Sequence, residues 1–145
     1  MKLISLLSEK INKEKCLTLL TRDMGYDKTE AKEALDSIIS NVKNLPEEIK
    51  LYRLIKVDDK KDINIDEPGA HYSLNKKDLL SSHSFADGHG DKAYLITVLS
   101  PKKLVDTDET IHNNILYPYE QEVTLKNKGK GVKIVSIRKF MGKTS

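Results

Sequence analysis

The hydrophobic period of the chain changes once, near Pro46, and that change limits the folds open to it. Before Pro46, Leu3, Leu6, Leu7, Ile11, Leu17 and Leu20 recur at helical spacing. Ala31, Leu35, Ile38, Ile39 and Val42 form a second apolar stripe of the same kind. Gly25 precedes this stripe, and Asp27 stands three residues before Glu30, the spacing of a capping box. The first third therefore predicts two amphipathic helices, the second closed by Pro46. From Ile49 onward the apolar residues come in short branched and aromatic runs: "IKLYRLIKV", "HYSL", "AYLITVL", "EQEVTL" and "VKIVSIRKF". These predict strands, separated by polar stretches rich in Pro, Gly and Asp. One helical turn is expected near Lys77–Ser82, inside an otherwise irregular segment from Asn75 to Lys92, and residues 100–114 are expected as a loop after Pro101. The glycine-bearing "KNKGKG" between Glu120–Leu125 and Val132–Phe140 predicts a β-hairpin. Helices first and a mostly antiparallel sheet after them define an α+β class. At 145 residues the chain suits one domain, with residues 1–46 as its helical part and 49–141 as its sheet core.

Composition removes several function classes. No apolar run approaches the roughly 18 residues of a membrane span. The N-terminus turns charged after a short apolar run and has no small-residue cleavage site, so a signal peptide is not expected. A single cysteine, Cys16, allows no intrachain disulfide and fits a reducing compartment, and the expected location is the cytoplasm. His71, His83, His89 and His112 do not make a zinc signature, and no metal is expected. "DGHG" lacks the strand and helix of a dinucleotide loop, and "GKGVK" lacks the P-loop pattern. The net charge of +3 is unevenly placed: residues 126–145 carry seven basic residues and no acidic one. That basic end fits either a solvated surface or a non-catalytic binding module that contacts nucleic acid or an acidic partner.

Three pieces follow in order along the strands. The first is Tyr52-Arg53-Leu54, an arginine among apolar neighbours. The second is Gly69-Ala70-His71-Tyr72-Ser73-Leu74. The third is Glu120-Gln121-Glu122-Val123, in which period-two alternation puts both glutamates on one face. Together they resemble the arginine–serine–glutamate class of mono-ADP-ribosyltransferases, including its small toxin-like and phage-encoded members. The resemblance covers roughly residues 49–140. It implies a split β-sheet with an NAD cleft, and transfer of ADP-ribose from NAD to an arginine of a target protein with release of nicotinamide. NAD is then a substrate, and the cytosol of a target cell is the place of action.

The resemblance also assigns roles. Arg53 takes the NAD pyrophosphate, for which a planar guanidinium fork suits the oxygens better than an ammonium group. Tyr52, His71, Tyr72 and Ser73 belong to the cofactor site. Glu122 is the carboxylate facing the cation that develops as the nicotinamide–ribose bond breaks. Glu120, one pleat earlier, orients the acceptor guanidinium, and Tyr117 and Tyr119 on the preceding loop face that substrate. Gly88 and Gly90 lie in the loop that closes over the cofactor in relatives. The middle piece departs from the family's Ser-Thr-Ser: either Ser73 or His71 holds the serine position.

Overall fold

The computed structural model describes residues 13–81, 87, 88, 91–117 and 121–140. Helix α1 covers residues 13–18 and runs into a π-helical turn, Leu19–Asp23. It is followed by α2 (Lys28–Lys43), β1 (Glu48–Val57), β2 (His71–Ser73), α3 (Lys76–Ser81) and β3 (Asp87–Gly88). Then come β4 (Lys92–Pro101), α4 (Thr107–Leu116), β5 (Glu122–Thr124) and β6 (Lys133–Lys139). The class is α+β. The chain divides into two compact units, a helical one containing α1, α2 and α4, and a sheet unit containing the rest.

In the helical unit the capping box forms as the sequence predicts. The Asp27 carboxylate accepts from the Glu30 backbone N–H at 2.8 Å, and Glu30 Oε1 accepts from the Asp27 N–H at 3.4 Å. The α2 stripe then buries Ala31 and Leu35 with Cys16, Leu20 and Ile115, and Ile38, Ile39 and Ile111 pack against that cluster. Ile111 and Ile115 belong to α4. The stretch expected as a loop after Pro101 is therefore helical in its second half. Asp108 and Glu109 stand in the first turn of α4, where acids favour the helix dipole, and the four-residue spacing of the two isoleucines gives the helix a buried side.

In the sheet unit, the strands run β5-β2-β1-β4-β6, all neighbours antiparallel, and β3 adds a short parallel pairing to β1 at Ile55 and Lys56. The spine is the ribbon of β1 and β4, paired from Glu48 opposite Pro101 to Val57 opposite Lys92. Alternation along this ribbon sorts its side chains. Ile49, Leu51, Ile96 and Val98 are buried on one face. On the other, Leu54 and Leu95 join Leu79 of α3, with Tyr52, Leu80 and Phe140 against them.

The expected β5–β6 hairpin does not form. β5 pairs with β2 and β6 with β4, so the two lie at opposite edges of the sheet. The connection between them is not a two-residue turn but a kinked crossing in which Asn127, Lys128, Gly129 and Gly131 all take left-handed backbone angles. Backbone hydrogen bonds tie the crossing to the β2 approach: the Gly69 N–H donates to the Lys128 carbonyl at 2.8 Å, and the Leu125 N–H to the Ala70 carbonyl at 2.7 Å. The outer strand β6 exposes Lys133, Arg138 and Lys139, charges that discourage an edge from pairing with another chain.

Candidate functional site

The three pieces singled out in the sequence fall on three adjacent strands. Tyr52 of β1 is opposite Ser73 of β2, and Ser73 is opposite Glu122 of β5. Residues paired across an antiparallel ladder share a face, so Tyr52, Ser73 and Glu122 point one way, together with His71 and Thr124. Arg53, one position on from Tyr52, is rooted on the opposite face with Tyr72.

The guanidinium nevertheless reaches β2. Arg53 Nη1 donates to the His71 carbonyl at 2.8 Å, and Cζ stands 5.9 Å from the centroid of the Tyr72 ring, within cation–π range. Gly69 makes room for it: a Cβ there would overlap the guanidinium. Tyr72 is 2 % exposed, and its hydroxyl is buried with no hydrogen-bond partner among the described residues. Burial pushes that phenol up to about 12, with the Arg53 charge acting in the opposite sense.

On the other face three polar atoms form a triangle. Thr124 Oγ1 donates to Glu122 Oε2 at 3.3 Å, His71 Nδ1 lies 3.4 Å from that same oxygen, and Nδ1 and Oγ1 are 3.4 Å apart. The His71 side chain is 53 % exposed and that of Glu122 21 %. His71 is thus the meeting point of the site, with its carbonyl on Arg53 and its ring on Glu122.

Ser73 is used differently from its neighbour. Its hydroxyl donates to the Asn75 carbonyl at 3.1 Å and accepts from the Asn75 N–H at 3.0 Å, a local turn that leads into α3. Both β2 candidates therefore lie near Glu122, Ser73 directly across the ladder and His71 through its ring nitrogen at 3.4 Å. Tyr52 packs on the Leu54–Leu79–Leu95 cluster. Tyr117 is 55 % exposed, one residue beyond α4 in the helical unit. Tyr119, Glu120, Gly90, His83 and His89 lie outside the described residues.

Thr124 was not singled out by sequence motif, although its signal is simple: two residues beyond Glu122 on a strand is the same face. Gly69, which opens the second sequence piece, passes against the Arg53 guanidinium, and Gly129 of the glycine-bearing turn passes against the Tyr72 hydroxyl. In the helical unit an apolar pocket is lined by Cys16, Leu35, Ile39 and Ile111, with Asp108 and Lys43 beside them. Burial, and secondarily Asp108, pushes the Cys16 thiol up, which keeps it protonated and poorly nucleophilic. Among the described residues no group of three or more His, Cys, Asp or Glu side chains is placed to hold a metal, and no helix is long and apolar enough to cross a membrane. No family model, curated protein or solved structure matches the chain.

Proposed function

We propose that the protein is a mono-ADP-ribosyltransferase that moves ADP-ribose from NAD to an arginine side chain of a target protein and releases nicotinamide. The observation that supports this reading is the order of Arg53, His71 and Glu122 on three adjacent strands: Arg53 bonds the His71 carbonyl at 2.8 Å from one face of the sheet, and Glu122 lies 3.4 Å from the His71 ring on the other. In this reading Arg53 turns from the His71 carbonyl to the pyrophosphate, an anion its planar fork can engage through two parallel hydrogen bonds. Glu122 stabilises positive charge on the ribose as the bond to nicotinamide lengthens. That attraction grows toward the transition state, so it accelerates the reaction and does not merely tighten binding. Thr124 and His71 hold the carboxylate in place beforehand. Glu120 orients the acceptor.

The test is incubation with labelled NAD and a cell lysate, comparing the wild type with Glu122→Gln. The wild type labels protein and releases nicotinamide, whereas the variant folds, binds NAD and does neither. Undiminished turnover in the variant overturns the proposal.

A further inference from the structure

We infer that His71 is the proton acceptor of the transfer, and that Glu122 and Thr124 position its ring for that task. The inference rests on the transferase reading for its reaction and on proton counting for its geometry. A threonine hydroxyl has one proton. Thr124 gives that proton to Glu122 Oε2, so its oxygen meets His71 Nδ1 as an acceptor. Glu122 Oε2, 3.4 Å from the same nitrogen, is also an acceptor when ionised. A bare Nδ1 lone pair between these two oxygens would be repelled by both, so Nδ1 carries the hydrogen. In the neutral ring the lone pair then sits on Nε2, at the far side of an imidazole that is 53 % exposed. A carboxylate on one ring nitrogen and an open lone pair on the other is the arrangement of an oriented base.

The step balances. A guanidinium nitrogen of the acceptor attacks the ribose carbon and loses one proton to His71 Nε2. The bond from that carbon to nicotinamide breaks, its electron pair goes to the ring nitrogen, and nicotinamide leaves neutral. The imidazolium is stabilised by Glu122 until it returns the proton to water. Among the described residues, the groups facing the ring and its backbone from the neighbouring strands are Glu122 and Thr124 of β5 and Arg53 of β1 on the His71 carbonyl, with Tyr72 next in the chain.

Two measurements test the inference on the full chain. Long-range nitrogen–proton NMR at neutral pH is expected to show His71 as the Nδ1–H tautomer. The second is the pH profile of transfer to a small guanidine compound, compared between the wild type and His71→Asn. His71→Asn keeps an N–H toward Glu122 but has no base, so its rate falls roughly 100-fold or more and its pH profile changes shape. An Nε2–H tautomer overturns the inference, and so does a pH profile of unchanged shape in His71→Asn. A wild type that shows the Nδ1–H tautomer yet turns over no NAD overturns the transferase reading and leaves the ring assignment standing.

Discussion

Gly129 lies against Gly69 so closely that a Cβ on the former would stand 2.5 Å from the carbonyl oxygen of the latter and 2.9 Å from the Tyr72 hydroxyl. The crossing between the outer strands therefore rests directly on the loop that enters β2. Gly129 also has φ +79, a region in which side chains are strained. Gly129→Ala combines the strain with a backbone clash and is expected to destabilise by about 1–3 kcal/mol. Gly25 has φ +75 with nothing within 4 Å of an added Cβ, so Gly25→Ala bears the conformational cost alone. Urea denaturation of the two variants checks the order, with Gly129→Ala the less stable.

The buried Tyr72 phenol gives the fold an alkaline limit. Its ionisation is raised from 10.0 to about 12, so the stabilisation is complete below the unfolded value and is lost as pH climbs from about 10 to about 12. Tyr72→Phe lacks that loss. Because the hydroxyl has no partner among the described residues, the variant is expected within about 1 kcal/mol of the wild type at neutral pH. Denaturation midpoints measured across the alkaline range check both statements.

Asp27 behaves in the opposite sense. The backbone N–H of Glu30, first among its hydrogen bonds, holds the carboxyl below its ordinary 3.8. Its contribution is present above the unfolded value and is lost as pH falls through the folded one. Asp27→Ala is expected to lower the melting temperature at neutral pH and to make little difference in acid, whereas Asp27→Asn keeps a capping oxygen and lacks the pH dependence. Circular dichroism melts at several pH values distinguish the three proteins.

Arg53→Lys tests the cofactor role of the guanidinium. An ammonium group cannot reproduce the planar fork or the stacking on Tyr72. Loss of one charge-assisted hydrogen bond corresponds to about a tenfold weaker NAD affinity, which calorimetry reads directly.

Where sequence and structure agree, the signal was local. Asp27 and Glu30 are three residues apart and meet through one turn of backbone, so their pairing is written in the spacing. The β-branched runs of β1 and β4 likewise carry their own strand preference. The hairpin failed because strand pairing is not local: β6 has the right neighbours in sequence to meet β5, but the long apolar β4 takes it over six paired positions from Tyr94 to Leu99. Helix α4 was hidden by the polar residues around Ile111 and Ile115, whose burial depends on α1 and α2. In the site, the order of Arg53, His71-Tyr72-Ser73 and Glu122 along the strands was readable, whereas the contact between the His71 ring and the Glu122 carboxylate depends on how β2 and β5 pair, which no local spacing encodes.

Placing β5 and β6 at opposite margins has a consequence for synthesis on the ribosome. The β1–β4 ribbon, with β2 already on its β1 side, can assemble while the β4 side and the outer side of β2 still wait for segments made later. A chain halted near residue 130 would present β4 as a long, uncovered hydrogen-bonding rim with Ile96 and Val98 beside it. Such a fragment is set up to recruit strands from its own kind, so incomplete synthesis would yield clumped material rather than a shortened working protein.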